Sequence, residues 1–200
     1  MEDASAIDLD WFWRGWFYTT DWVDIGIKEV KKYYVSSEPN AYMKALMKER
    51  GLERSQLRPL VYMVEEGSEE FEKSMNGKDV LETVSVKEYL MDNFTASERQ
   101  NIRKPKFFYN ITFEKPGGLV MPIIVKYAYA DGTSKTETFP AQIWRLNDKE
   151  VTRAIASEKE IISFTIDPNE ETADVDNSNN TWPRQEELSD FDKFKGKVKR

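Results

Sequence analysis

The side chains that could do chemistry in this chain are carboxylates, lysines, tyrosines and hydroxyls, because its 200 residues include no histidine and no cysteine. Those two side chains supply almost every structural or catalytic zinc site in proteins. Their absence also removes the imidazole base and the thiol nucleophile of Ser-His-Asp and Cys-His catalysis. We therefore expect no catalytic residue of these classes and no zinc ligand. The same absence of histidine and cysteine excludes disulfides, haem with an axial histidine and cysteine-bound iron–sulfur clusters.

One acidic segment near the end of the sequence places oxygen ligands as in the first half of a calcium loop. In 174–180 (Asp-Val-Asp-Asn-Ser-Asn-Asn), the weak calcium candidates are Asp174, Asp176 and Ser178. An EF-hand needs glycine at its sixth position and a bidentate glutamate at its twelfth, where this sequence has Asn179 and Gln185. The alternative is structural, since Asp and Asn side chains cap the backbone of turns. The broken motif favours that structural role.

The 36 acidic residues of the chain are also compatible with the catalytic carboxylate pair of a glycosidase. Acid pairs are abundant on protein surfaces and only their geometry selects a catalytic one, so this stays a minor alternative. The formal net charge of −7 argues against a nucleic-acid partner. Five basic residues stand in the last eight positions, a pattern that is more often a solvated, frayed end than a binding element. No apolar run of about 18 residues occurs, so we expect no membrane span.

The first element that the sequence predicts is an aromatic helix. Ser5 opens a Ser-x-x-Asp capping signal, so a helix begins near Ala6. Its apolar positions follow the i, i+3, i+4, i+7 spacing, but Trp11 and Phe17 lie off that stripe and make the helix apolar nearly all round. Such a helix needs cover on several sides. We expect a partner surface outside the chain to cover it, with an ordinary core helix as an equal alternative. The partner-docking residues would be Trp11, Phe12, Trp13 and Trp16.

The pattern after residue 21 predicts a strand followed by helices. From Trp22 to Lys28 apolar and polar residues alternate, which places Val23, Ile25 and Ile27 on one face of a first strand region over 22–35. From residue 36 the sequence is charged and helix-permissive. Ser37 is a possible cap and Gly51 a possible C-cap for a helix near 39–50. We expect a helical insert over 36–104.

From residue 105 onward the pattern turns to short strands. Apolar residues alternate between Phe107 and Phe113, and Asp131-Gly132 is a strong hairpin signal. Short, closely spaced strands without helices between them favour an antiparallel immunoglobulin-like β-sandwich over 105–168. A polar loop and basic tail follow over 169–200. The expected fold class is therefore α+β, with an aromatic N-terminal helix (1–21) and a helical insert before the sandwich.

Four stretches of the sequence carry a resemblance to a known family. They are Met1–Ser5 with Asp8–Trp13 and Trp16, Gly117–Ile123, Pro140–Arg145, and Asp167-Pro168-x-x-Glu171-Thr172-Ala173-Asp174-x-Asp176-x-x-Asn179-Asn180-x-Trp182-Pro183-Arg184. With them the chain resembles the C-terminal, non-catalytic region of aminopeptidase-N-like zinc metallopeptidases (gluzincins) of bacterial type. The first stretch looks like the helix that closes the catalytic half in that family. The likeness is specific in the sandwich and terminal loop and loose over 36–104.

The resemblance implies peptide hydrolysis at a zinc held by a His-Glu-x-x-His helix and a downstream glutamate. None of those residues exists in this chain, so no position inherits a catalytic or ligand role. The resemblance thus implies a C-terminal fragment whose partner is an upstream catalytic domain of the same polypeptide. That domain would hold the zinc and bind the peptide substrate, and this chain would brace it and shape access to its cleft. The compartment stays open, with export or the bacterial cell envelope as one option for the parent.

A free-standing immunoglobulin-like module that binds carbohydrate or peptide is the main alternative. Exposed, coplanar tryptophans on one face of the sandwich would favour that alternative. Uncovered aromatic residues on the first helix would favour the accessory module. Among the other large aromatics, most of Trp22, Phe107, Phe113 and Trp144 should be sandwich core.

Overall fold

Two antiparallel sheets and five helices make up the part of the chain that the computed structural model describes, residues 9–76 and 83–184. The helices are α1 Asp10–Tyr18, α2 Ala41–Arg50, α3 Glu69–Met75, α4 Val86–Asn93 and α5 Ala96–Asn101. The strands are β1 Gly26–Ser36, β2 Leu60–Tyr62, β3 Thr83–Ser85, β4 Phe107–Glu114, β5 Ile123–Tyr129, β6 Ser134–Phe139, β7 Glu150–Ser157, β8 Ile161–Ile166 and β9 Thr181–Trp182. The predicted helix start near Ala6 and the basic tail lie outside the described residues.

Every strand pairing in the two sheets is antiparallel. One sheet has the order β3-β2-β1-β4-β7 and the other the order β6-β5-β8-β9. The longest ladder joins β1 to β4, from Gly26↔Glu114 to Tyr34↔Phe107, with a β-bulge after Ile27. The expected α+β class with antiparallel strands is confirmed at this level.

The two sheets share one hydrophobic core between their facing surfaces. Alternate residues of β4 enter it, and Tyr109, Ile111 and Phe113 are completely buried, as the period-two pattern predicts. Side chains from both sheets and their flanks contribute: Ile25, Ile27, Tyr109, Ile111, Phe113, Ile123, Val125, Tyr127, Phe139, Trp144, Ile161, Phe164 and Ile166. Burial of each such side chain contributes about 1.5–3 kcal/mol to folding. Trp144, in a 3₁₀ turn over Ala141–Arg145, also donates its Nε1–H to the Met121 carbonyl over 3.0 Å.

The segment 36–104 contains helices α2 to α5 and also two short strands. The sequence pattern did not predict these strands. β2 pairs with the end of β1 through Tyr34↔Tyr62 and Val35↔Val61, and β3 pairs with β2. The run Leu60–Tyr62 is apolar and partly β-branched, and Val61 and Tyr62 are completely buried. Such residues fit a pleated, buried surface better than an exposed helix. The insert therefore extends the first sheet.

Helices of the insert cover the other face of the first sheet. Phe108 of β4 is completely buried there, although its neighbour Tyr109 is buried on the opposite face. Tyr33, Val61, Tyr89 and Phe94 complete this second core. Strand β4 is thus enclosed on both sides.

The sequence predicted the C-cap of α2 correctly but not its N-cap. Asn40 is the N-cap, its Oδ1 accepting the N–H of Met43 over 2.9 Å, in place of the expected Ser37. Gly51 is the C-cap with φ 63°, as predicted, because glycine adopts the left-handed conformation without strain. Among the described helices none is long and apolar enough to cross a lipid bilayer.

The expected core aromatics divide into two groups. Phe113 and Trp144 are buried and Phe107 is partly buried against the core, as predicted. Trp22 is 52% exposed and is the one residue of these four that lies outside the core. Its backbone pairs with Gly118 in an isolated bridge, and this places its side chain outside the sheets.

Candidate functional site

Helix α1 lies directly against the segment that precedes β5. A Cβ atom on Gly15 would stand 2.7 Å from Cδ2 of Leu119, so the helix backbone itself meets that side chain. Between α1 and the 3₁₀ turn at Ala141–Arg145 is an open groove of about 710 Å³, lined in part by Trp11, Arg14 and Trp144. The absence of a side chain at position 15 allows this close approach.

Most of the aromatic side chains of α1 remain accessible to solvent. No described residue of the helix is buried, and the exposed fractions are 42% for Trp16, 68% for Phe17 and 83% for Tyr18. Phe12 and Trp13 are partly exposed, and their rings contact Trp16 and Phe17 at centroid distances of 5.8 and 5.6 Å. The prediction that the first helix exposes apolar surface is confirmed. The docking role assigned to Trp11, Phe12, Trp13 and Trp16 stays a prediction.

We call this feature the aromatic surface and define it as Phe12, Trp13, Trp16, Phe17, Tyr18 and the nearby half-exposed Trp22. A cavity of about 280 Å³ separates the helix from Trp22, with Gly15, Trp16 and Trp22 among its lining residues. Contiguous exposed apolar groups of this kind are uncommon on monomeric proteins and mark interaction sites. The aromatic surface is therefore the leading candidate for a functional site in the described chain.

A buried lysine lies beside the same groove, and the sequence pattern gave no sign of it. Lys115 is only 8% exposed, its Nζ donates to the Gly118 carbonyl, and the ammonium is 5.9 Å from the centre of the Trp144 ring. Burial lowers its pKa, while the charges of Asp148 and Asp21 act in the opposite direction. Because the ammonium is held by the Gly118 carbonyl and by the Trp144 ring, Lys115 joins the Pro116-Gly117-Gly118 turn to the 3₁₀ turn that carries Trp144.

The structure separates the three weak calcium candidates. Asp176 and Ser178 lie in an exposed turn, where Oδ1 of Asp176 accepts the N–H and the hydroxyl of Ser178 over 3.0 and 2.6 Å. These hydrogen bonds hold the pKa of Asp176 below its ordinary value. Asp174 is half-buried, and its Oδ2 accepts the N–H of Ile25 over 3.3 Å. In residues 9–76 and 83–184 no group of three or more Asp, Glu, His or Cys side chains is placed to hold a metal.

A second groove, of about 440 Å³, is a place where the catalytic carboxylate pair of a glycosidase could lie. Glu98 and Glu137 both line it, together with Arg153. Burial opposes ionisation of Glu98, but hydrogen bonds from Thr95 and Arg153 prevail and lower its pKa. The general acid of a glycosidase needs a raised pKa. Glu98 thus has the properties of an ion-pair partner for Arg153, 2.5 Å away, and not those of a catalytic acid.

No protein-family model matches this chain, and no curated protein and no solved structure is significantly similar to it. The class that the fold and the site define is therefore a coarse one. It is an α+β chain of two antiparallel sheets with a common core, which carries an exposed aromatic helix beside a groove.

Proposed function

We propose that this chain is a non-catalytic accessory module of an aminopeptidase-N-like zinc metallopeptidase, in which it braces the catalytic domain and shapes access to its cleft. The zinc and the peptide substrate would belong to that catalytic domain. Two lines support the proposal: the sequence resemblance over both ends of the chain, and the aromatic surface. The aromatic surface carries it, because an accessory module needs a permanent contact with its partner.

The size of the aromatic surface suits an interface between domains. An aromatic side chain buries about 150–250 Å² when fully covered. Six such side chains that are already partly covered leave several hundred Å² of apolar area, on the scale of one side of an interdomain contact. Phenylalanine and tryptophan are also the side chains enriched at the cores of interfaces. A catalytic domain that covered α1 would remove this area from water.

An immunoglobulin-like arrangement of the two sheets is part of the proposal. Two antiparallel sheets that share a core, with hairpin connections such as β5–β6, are the architecture of that fold. Strands β2 and β3 would then be an addition to one sheet, contributed by the insert.

The alternative of a free-standing carbohydrate-binding module has no comparable support. Such a module needs exposed tryptophans on a sheet face, but the strands described here contain only Trp182, which is partly buried and packs on Phe164 at a centroid distance of 5.8 Å. The exposed Trp16 and Trp22 belong to α1 and to the segment after it. We therefore do not propose that function.

The first test is the reading frame upstream of Met1, which should encode a His-Glu-x-x-His helix and a later glutamate ligand. That upstream polypeptide, made as a separate chain, should co-elute with this chain in size-exclusion chromatography. The double variant Trp16→Ala/Phe17→Ala should weaken the complex at least tenfold, because both side chains would lie in the contact. Tyr42→Ala is the matched control, since Tyr42 is 62% exposed but lies on α2. An upstream frame without the zinc motif, or equal binding by all variants, would contradict the proposal.

A further inference from the structure

Strand β7 is an outer strand of the five-stranded sheet, and one of its edges is unpaired. The sheet has the order β3-β2-β1-β4-β7, so among the described strands β7 pairs with β4 on one side and with none on the other. A strand in this position presents a row of unpaired backbone N–H and C=O groups. Such a row is a template for one further strand.

The hydrogen bonds between β4 and β7 show which residues present those groups. The ladder continues beyond the start of β7, where the Lys115 N–H donates to the Lys149 carbonyl over 2.8 Å. In an antiparallel ladder, residue pairs that exchange backbone hydrogen bonds alternate with pairs that do not. Counted from Lys149, every second residue of β7 therefore bonds to β4. The backbone groups of Thr152, Ala154 and Ala156 point the other way, and we call these three residues the open edge.

A side-chain contact agrees with this alternation. Thr112 and Thr152 lie opposite each other in the ladder, and their hydroxyl oxygens are 3.0 Å apart. Side chains approach each other most closely at the pairs that exchange no backbone hydrogen bonds. Thr152 therefore belongs to such a pair. In the part of the chain that the structure describes, no turn or loop backbone bonds to the open edge either.

The groove of about 440 Å³ that Glu98 lines runs along the open edge. Every residue from Arg153 to Ser157 borders this groove, although successive side chains of a strand point to opposite faces of the sheet. The groove therefore lies at the edge of β7 and not on one of its faces. Strand β6 borders it only through alternate residues, which are Lys135, Glu137 and Phe139.

The two sides of the groove differ in polarity. On the side of the insert it is bordered by Phe94 and Ile102, and Ala154 and Ala156 pack against the same second core. On the side of β6 it is bordered by charged groups, among them Glu137. An added strand would point its side chains alternately to the two sides. Its apolar residues would then lie against the insert and its polar residues against β6.

We propose that the open edge of β7 binds an extended peptide segment of another polypeptide as an additional strand of the sheet. The backbone of the segment bonds to Thr152, Ala154 and Ala156, and its apolar and polar side chains alternate. In this mode of recognition the backbone hydrogen bonds supply affinity and the alternate side chains supply specificity. The site goes beyond the proposed accessory role and does not depend on it.

The shape of the groove favours a flexible segment over a second folded copy of this chain. Two copies that paired through β7 would each have to present the same edge to the other. In each copy that edge is flanked by Glu98 of α5 on one side and by Lys135 of β6 on the other. These flanking elements would meet before the two edges did. A single extended segment has no such flanks and fits between them.

The probe is a library of fluorescein-labelled hexapeptides in which varied apolar residues alternate with varied polar ones. Fluorescence polarisation should find members with dissociation constants below about 1 mM. In NMR spectra of the free protein the amide protons of Ala154 and Ala156 should exchange rapidly with solvent, and the best peptide should slow them at least about tenfold. Arg153 and Ile155 are the matched controls in the same strand. Their amides already bond to β4 and should exchange slowly in both states.

Two kinds of variant separate backbone pairing from ordinary apolar contact. N-methylation of one alternate set of peptide amides should weaken binding at least about tenfold, and methylation of the other set should not, because only one set donates to β7. Ala154→Pro should also weaken binding at least about tenfold, because it removes an N–H that points away from β4. Met91→Ala is the control, since Met91 is 59% exposed beside a different groove. The methylated peptides decide the question even if Ala154→Pro does not fold.

Three results would overturn the proposal. One is a library without a member that binds more tightly than about 1 mM. Another is equal binding by the two methylated sets, which would show that no strand is formed. The third is a dimer in size-exclusion chromatography that Ala154→Pro dissociates, since a second copy would then occupy the edge. None of these results bears on the aromatic surface, so the two proposals fail separately.

Discussion

The side-chain amide of Asn179 donates a 2.8 Å hydrogen bond to the buried carboxylate of Asp24, which joins the loop before β9 to the segment that leads into β1. The backbone reinforces this contact, since the N–H of Val175 donates to the Val23 carbonyl over 3.1 Å. Parts of the chain that are far apart in sequence are thereby joined beside the common core. Changes at this junction should act on the stability of the whole fold.

Gly26→Ala should destabilise the protein by about 1–3 kcal/mol, the usual effect of overpacking. A Cβ atom at position 26 would stand 2.6 Å from Cγ and 2.8 Å from Nδ2 of Asn179. Asn179 cannot move aside without loss of its hydrogen bond to Asp24. Urea denaturation of both proteins measures the difference.

Asn179→Gly supplies the control for that substitution, because it removes all of the side-chain atoms that the new methyl group would meet. In the Asn179→Gly background, Gly26→Ala should therefore cost much less than in the parent chain. Such coupling is expected for residues in contact. If the stability losses of Gly26→Ala and Asn179→Gly simply add in the double variant, the contact between the new methyl group and Asn179 is not the cause.

Tyr109→Phe should also destabilise the fold, by about 1–3 kcal/mol. The Tyr109 hydroxyl accepts the N–H of Ile161 over 2.8 Å and donates to the Ile161 carbonyl over 3.3 Å, so it links β4 of one sheet to β8 of the other. Phenylalanine would leave two buried backbone groups without a partner. Tyr18→Phe is the control, since Tyr18 is 83% exposed, and should change stability by less than about 0.5 kcal/mol. Equal effects would contradict this account.

The stability of the protein should fall between pH 10 and pH 12. Burial raises the pKa of Tyr109 from 10.0 to about 12, and it also raises the pKa values of Tyr34, Tyr89 and Tyr127. The folded state thus holds these protons more tightly than the unfolded state. Their contribution is complete below pH 10 and is lost as the pH rises through the folded-state values. Urea midpoints measured across this range should decline, and less steeply in Tyr109→Phe.

The sequence predicted those elements whose signal is local. The alternation of Tyr109, Ile111 and Phe113 predicted β4, and Asp131-Gly132 predicted the hairpin, in which Gly132 has a φ of 82°. Alternation also placed Phe108 on the face away from the core, yet it is completely buried, because the insert covers that face. A pattern within one strand carries no information on what packs against its other side.

The candidate sites divide in the same way. The exposure of Trp16 agrees with the expectation that one small sheet cannot cover a helix that is apolar nearly all round, although the pattern fitted an ordinary core helix equally well. The spacing of Asp174, Asp176 and Ser178 resembled half of a calcium loop, but the broken motif favoured a structural role. In the structure Oδ1 of Asp176 does accept two hydrogen bonds from Ser178 in a turn. The part played by Asp24 could not be predicted, since its partner Asn179 is distant in sequence and only the fold brings the two together.

The purified chain should bind no zinc in stoichiometric amount and should cleave no aminoacyl reporter peptide. It has neither histidine nor cysteine, and carboxylates alone rarely form a selective zinc site. Metal analysis after dialysis and a peptidase assay decide this. One tightly held zinc per chain, or activity that a chelator removes, would show that the prediction is wrong.

Asp176→Ala should lower the thermal midpoint by a few degrees, to the same extent with and without calcium. Asp176 caps the 3₁₀ turn Asn177–Asn179 through Ser178, and this turn holds Asn179 against Asp24. Its hydrogen bonds lower its folded-state pKa, so their contribution is present above pH 3.8 and is lost as the pH falls through the folded-state value. The difference between the variant and the parent should therefore shrink in acid. If calcium raised the midpoint of the parent but not that of Asp176→Ala, Asp176 would be a calcium ligand and the structural role would be refuted.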